Sequence, residues 1–169
     1  MARLLGDRYW WRGLEASRPW RELQVNLAAA ALRLPVPAAL GARIQRSGWL
    51  YRADFLSGYV AHSETLASLL QVRGLSEELP WEAVGRCIRR LHQAGFEHAD
   101  LNAHNLLLDE AGAVHVIDWD RGRRHAAPGA YAERNLARLQ RSLRKLLPGA
   151  RQAEVAAAMA RLRAGYAGA

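Results

Sequence analysis

The chain is short of several things, and each shortage closes off a class of function. Cys87 is its only cysteine, so no internal disulfide can form and no cysteine-based zinc site can be built. A reducing cytoplasmic setting fits that usage best. Lys145 is the only lysine, although lysine and arginine together number 24 of the 169 residues. No run approaches the roughly 20 apolar residues that cross a bilayer, and the first residues lack the continuous apolar core of a signal peptide. Those absences point to a protein that is soluble, or that lies at most on a membrane surface.

What is present is the balance of a folded domain. Half the residues are hydrophobic and 24% are charged, enough to bury a core and unlike a disordered tail. The formal net charge of +8 favours anionic partners such as phosphorylated substrates, acidic lipid headgroups or nucleic acid. An arginine-rich composition also follows from a GC-rich genome, and composition does not choose between the two.

Along the chain, Tyr9, Trp10 and Trp11 are large apolar groups with no preceding strand to pack against. Ser17, Pro19 and the spacing of Trp20, Leu23, Leu27 and Ala31 predict a helix running to Leu34, before Pro35. Short β-type runs at Arg43 to Ile44 and Leu50 to Leu56 predict a hairpin around Ser47 and Gly48. Further helices are expected from about Ser63 to Arg73, Pro80 to Ala94, Tyr131 to Leu147 and Arg151 to about Tyr166. The second of these, Pro80 to Ala94, has an apolar stripe of Trp81, Val84, Ile88 and Leu91 and a stop at Gly95. Two strands, Leu106 to Leu108 and Val114 to Ile117, bracket a turn at Glu110 to Gly112.

The chemistry gathers around that hairpin. Glu97-His98-Ala99-Asp100-Leu101-Asn102-Ala103-His104-Asn105 precedes it and Ile117-Asp118-Trp119-Asp120 follows it. Transfer of a phosphoryl group to a hydroxyl needs an acceptor for the departing proton, ligands for magnesium and nearby positive charge. Asp100 suits the base or orienting group, and Asn105 with Asp118 suits magnesium, because oxygen-only ligands match a hard cation. Taken singly, each Asp or Asn is as well explained by turn capping. A rival set of His98, Asp100 and His104 has the ligand types of a transition-metal site, whereas His98 as a brace would bond backbone or Asp118. Trp119 reads as core.

The run Gly-Phe-Glu-His-Ala-Asp-Leu-Asn-Ala-His-Asn-Leu-Leu-Leu-Asp, with Val-Ile-Asp-Trp-Asp-Arg-Gly, resembles the 3-deoxy-D-manno-octulosonic acid (Kdo) kinase family within the lipopolysaccharide kinases. Ala2 to Tyr9, Leu34 to Pro37 and Tyr51 to Asp54 carry the resemblance more loosely. It implies an α+β, protein-kinase-like fold, mostly the helical C-lobe with a truncated N-lobe. Residues 1–57 would be a remnant of the small lobe with the hinge, and 58–169 the catalytic lobe.

It further implies ATP-dependent phosphorylation of a Kdo hydroxyl on a lipid A precursor, with ATP and Mg2+ as cofactors. Asp100 is then the catalytic base with His98 beside it. Asn105 and Asp118 are the metal ligands, and Glu22 is the helix glutamate that normally pairs with a strand lysine. This chain departs from the pattern: it has no glycine-rich phosphate loop and no lysine before Lys145. The resemblance implies that the missing strands lie upstream of Met1. ATP binding would be weak unless an arginine substitutes, and arginine's planar fork is a poor replacement for a compact ammonium.

Two basic features stay open. Arg121 to Arg124 could meet phosphates or form a solvated loop. Arg134, Arg138, Arg141 and Lys145 share one face of a helix whose other face is leucine-rich, which fits either an ordinary outer face or attraction to an anionic inner-membrane surface from the cytoplasmic side. Other small-molecule phosphotransferases of the aminoglycoside-kinase type, and a non-catalytic anion- or glycolipid-binding remnant, remain as alternatives. No nucleic-acid partner is expected, since no nucleic-acid module is recognisable; oligomeric state is not addressed by the sequence.

Overall fold

The computed structural model describes residues 8–76, 78–149 and 152–168. Ala2 to Asp7 of the resemblance and the expected helix start at Arg151 lie outside the described residues.

The first layer is an antiparallel sheet crossed by one helix. β1 (Tyr9–Trp10) is an edge strand, not an unpartnered tail: it pairs with β3 (Leu50–Ser57), Tyr9 opposite Tyr51. The Tyr51 ring lies between those of Tyr9 and Trp11, at 5.5 and 5.8 Å. β2 (Ala39–Ser47) completes the hairpin and runs well beyond the expected Arg43 to Ile44. The backbone ladder carries it through residues of low strand preference, helped by the cross-strand Arg43–Asp54 pair at 2.7 Å.

α1 (Arg18–Ala31) starts after Ser17, with proline in its first turn, and stops three residues short of Leu34. The amides of Leu32, Arg33 and Leu34 fold back onto the carbonyls of Ala29 and Ala30, and Pro35 then forbids another turn.

The second helix was expected from Ser63. Instead Ser63–Thr65 is strand β4, paired with β6 (Leu106–Asp109), and α2 spans Leu66–Arg73. Thr65 decides the boundary, because its Oγ1 accepts the Ser68 N–H at 3.0 Å and caps the helix. β6 returns as β7 (Val114–Val116) in the expected hairpin. β5 (Phe96–His98) pairs with β8 (Gly122–Arg124), so part of the arginine cluster is strand and not free loop.

α3 (Trp81–Gln93), α4 (Tyr131–Leu146) and α5 (Gln152–Ala167) complete an α+β chain. α3 and α5 cross at Gly85 and Gly165. A Cβ on Gly85 would sit 2.0 Å from the Leu162 carbonyl oxygen, and one on Gly165 2.1 Å from that of Glu82. Only glycine allows that approach. The core runs from α2 through α3 and the β6–β7 hairpin to α4 and α5, with Leu66, Leu70, Val84, Leu106, Val116, Leu136, Leu139, Leu143 and Leu162 fully buried. Cys87 belongs to it, and burial pushes its thiol up to about 12, which leaves it protonated and inert. Among the described residues no helix is long and apolar enough to cross a membrane.

Candidate active site

The turn after β5 is tied at both ends. Gly95, at φ +84°, brings its backbone so close to the chain after β8 that a Cβ would lie 2.3 Å from the His125 carbonyl. Its own carbonyl accepts the His125 N–H at 2.8 Å. Beyond His98, Asn102 caps a short 3₁₀ turn, Ala103–Asn105, by accepting the His104 N–H at 2.8 Å.

Asp100 stands on this turn. Its carbonyl accepts from the side-chain amides of Asn102 (2.9 Å) and Asn105 (3.0 Å). Asn105 in turn accepts the Ile117 N–H on its carbonyl at 3.1 Å, and the Ile117 carbonyl accepts Nε2–H of His98 at 2.9 Å. The circuit from Asp100 through Asn105 and Ile117 to His98 locks the two loops together, so three of the expected site residues are joined directly and Asp118 follows on the next position.

His98 is 3% exposed and packs its ring 4.7 Å from that of Trp119. Burial lowers its pKa, so the ring is the neutral Nε2–H tautomer and braces the loop through backbone. Its Nδ1 is buried without a partner among the described residues. Trp119 is core, as expected: it is 1% exposed and its indole N–H donates to Val116 at 3.0 Å.

Asp118 is exposed, in the left-handed region at φ +62°, a conformation that aspartate tolerates better than most residues. It has no ion-pair partner among the described residues. Glu22 approaches from α1: 9% exposed, it accepts the Trp119 N–H at 3.2 Å. Burial first, and then the neighbouring Asp118 charge, push its carboxyl up to about 7. The arginines whose partners are known nearby are engaged elsewhere. Arg43 is committed to Asp54 and Arg46 to the Gly48 carbonyl, and Arg18 pairs with Asp120.

The floor of the site is α4, which the sequence left without a partner. Asn135 Oδ1 accepts the His98 N–H at 3.1 Å and faces His92 Nε2 at the same distance. Arg138 reaches Asp100 Oδ1 through Nε at 2.8 Å and Nη2 at 2.5 Å, and Ser142 Oγ accepts the Ala103 N–H at 3.2 Å. These three recur at i, i+3 and i+7, one stripe of the helix. The sequence signals were the basic face that carries Arg138 and a pair of small polar residues, Asn135 and Ser142, interrupting a leucine pattern.

The rival metal set does not assemble. His98 is buried and spent on Ile117 and His104 is exposed, and among the described residues no group of three or more His, Cys, Asp or Glu is placed to share an ion. What the site offers a cation is Asn105 Oδ1, left free because the amide nitrogen is used, and the Asp118 carboxylate. Two basic recesses flank the loop. One of about 620 Å³ is lined by Arg18, Arg21, Ala99, Asp120 and Arg121 to Arg123. The other, about 310 Å³, contains Asp100 itself.

A helical lobe presenting the Asp100 loop and the Asp118 loop side by side is the arrangement of a kinase-like protein. The fold bears this out: the solved structure of "WaaP in complex with acyl carrier protein" superposes with a TM-score of 0.66 at 18% identity, over 89% of this chain and 66% of that one. The profile of the Lipopolysaccharide kinase (Kdo/WaaP) family matches residues 1–166, and the chain belongs to that family. Among its relatives are proteins named 3-deoxy-D-manno-octulosonic acid kinase. Those of Xanthomonas axonopodis pv. citri and Stenotrophomonas maltophilia (strain K279a) are each 41% identical over 165 residues, 98% of this chain and 66% of the relative. That of Xylella fastidiosa (strain 9a5c) is 44% identical over 146 residues, 86% of this chain and 58% of the relative. The chain thus spans less than two thirds of the length of these relatives.

Proposed function

We propose that the chain carries the phosphoryl-transfer site of a Kdo kinase, moving the γ-phosphoryl group of ATP to a hydroxyl of a Kdo sugar on a lipid A precursor. The observation that carries the proposal is the hydrogen-bonded circuit that fixes Asp100, Asn105 and the Ile117–Asp118 step relative to one another. Asp100 orients the acceptor hydroxyl and receives its proton. The acceptor oxygen forms the new P–O bond as the bond to the β-phosphate oxygen breaks and ADP leaves. His98 is a positioning residue, since its ring touches backbone and Trp119 and no open surface.

Asn105 and Asp118 are the residues that would hold Mg2+, and their free oxygens fit a hard cation. Bound there, the ion would neutralise charge on the nucleotide phosphates. Glu22 borders the same space, and residues 1–57 serve as the small-lobe side of the site with 58–169 as the catalytic lobe. The acceptor places the protein at the cytoplasmic face of the inner membrane, where a net charge of +8 favours an anionic surface.

The deciding experiment is incubation of the chain with ATP and a Kdo–lipid A precursor, followed by mass analysis of the sugar. The proposal requires one added phosphate on Kdo. ATP consumed only with a different acceptor class, such as an aminoglycoside, would overturn the acceptor assignment. Binding of the glycolipid with no phosphate transferred under any condition would mark the chain as a non-catalytic binder.

A further inference from the structure

The basic face of α4, though exposed, borders the loop that bears Asp100. Arg138, Arg141 and Lys145 line a recess of about 310 Å³ together with Asp100, Asn102 and Ser142. That volume is at the small end of ligand pockets, which run about 300 to 1,000 Å³, and suits a sugar ring or a single anionic group more than a whole glycolipid. Its charge is unbalanced. Arg138 is tied to Asp100. Arg141 and Lys145 are exposed and have no ion-pair or hydrogen-bond partner among the described residues. The one acid on α4, Glu133, is held by Arg163 at 2.8 Å on another part of the helix.

An ordinary outer face of an amphipathic helix interleaves its cations with acids at i+3 and i+4. Here the chain's only lysine and an unpaired arginine are instead aimed at the loop that bears the candidate base. The opposite stripe of the helix, Leu136, Leu139 and Leu143, is fully buried, so the orientation of the cations is fixed by the core and is not a matter of side-chain drift.

We infer that this recess is an acceptor subsite in which Arg141 and Lys145 grip an anionic oxygen group of the acceptor, while Arg138 holds the Asp100 carboxylate in line with the neighbouring hydroxyl. The inference rests on Asp100 as the base of the proposed reaction. Two sources supply the same chemistry: the carboxylate of the sugar acid, or a phosphate on the lipid A portion. Either forms charge-assisted hydrogen bonds to guanidinium and ammonium. Binding energy taken up by a group remote from the reacting hydroxyl then aligns that hydroxyl with Asp100.

The test uses the full chain and the double variant Arg141→Gln/Lys145→Gln, whose exposed positions leave the core untouched. With ATP and the Kdo–lipid A precursor, the double variant should raise the acceptor KM by about ten- to a hundredfold, as expected for losing charge-assisted bonds, while the ATP KM stays within about twofold. The charge-preserving Arg141→Lys/Lys145→Arg should restore most of it. Repeating the comparison with carboxyl-reduced Kdo and with dephosphorylated lipid A separates the sources, because the penalty of the double variant disappears on the acceptor that lacks the gripped group.

A second readout needs no turnover: titration of free Kdo and of inorganic phosphate onto the nucleotide-free chain. Salt-sensitive binding of one of them, lost in the double variant, supports the subsite even if no acceptor is ever phosphorylated, an outcome that would instead overturn the kinase reading. Turnover with an unchanged acceptor KM in the double variant, or anion binding that is absent in the natural chain or indifferent to the substitutions, overturns the subsite and leaves the role of Asp100 standing.

Discussion

The two parts of the chain are built to different standards. In residues 58–168 the helices and the β6–β7 hairpin share one continuous core, whereas residues 8–57 bury few apolar groups, chiefly Ala29, Tyr51 and the prolines Pro19 and Pro37, and Trp10 and Trp49 are 62% and 77% exposed. The Asp100 loop, Asn105 and Asp118 all sit on the first kind of structure, and every bond that positions Asp100 comes from within it. Glu22 crosses over to the Trp119 backbone, and the two parts are also joined by the Arg18–Asp120 pair and by the Val116 N–H donating to the Pro35 carbonyl. The geometry of Asp100, Asn105 and Asp118 therefore depends on the packed lobe, and the sheet layer contributes one carboxylate and a wall of arginines.

The comparison breaks most severely at Gly85. Gly85→Val would force α3 and α5 apart at a backbone contact, and chemical denaturation should show a loss of about 3 kcal/mol, the upper range for overpacking, with activity lost alongside. A smaller effect is expected for Asn135→Leu. It removes the acceptor of the His98 N–H and leaves a buried donor unpaired, costing about 1 to 3 kcal/mol, and it should lower kcat while leaving far-UV circular dichroism unchanged.

His92 sharpens the contrast through pH. Burial lowers its pKa from the ordinary 6.5, with Asn135 and the charges of Glu133 and Glu97 opposing without cancelling; Tyr166 faces its other nitrogen at 2.9 Å. The folded state then resists protonation that the unfolded chain accepts, so this contribution to stability is complete above 6.5 and is lost as pH falls from there through the lowered folded value. Urea unfolding between pH 8 and pH 5 should show the decline, flattened in His92→Gln. The smallest change is expected in the sheet layer, where Trp49→Ser should shift stability by less than about 0.5 kcal/mol in the same assay.

That Asp100, Asn105 and Asp118 come together was legible in the sequence because they lie on contiguous loops, where spacing along the chain is close to spacing in space. The hairpin around Glu110 to Gly112 was legible for the same reason. Asn135, Arg138 and Ser142 were not: helical periodicity assigns them to a face but says nothing of what that face meets thirty to forty residues away. β4 and β8 escaped because each is three residues long and pairs with a strand distant in sequence, whereas the equally short β7 is marked by the turn that joins it to β6. The missing lysine beside Glu22 was visible at once, since absence of a residue type needs no geometry. What could not be read was that burial, and then the neighbouring Asp118 charge, push the Glu22 carboxyl up to about 7.

The central claim is that Asp100, fixed by the packed lobe, orients and deprotonates the acceptor. The most direct measurement is single-turnover transfer from ATP to the Kdo–lipid A precursor by the natural chain and by Asp100→Asn, with the unfolding midpoint of each taken in parallel. The expected result is a fall in rate of about 10²- to 10⁴-fold, the range for a lost general base, with no fall in the midpoint. A variant that transfers phosphate at the natural rate would contradict the claim.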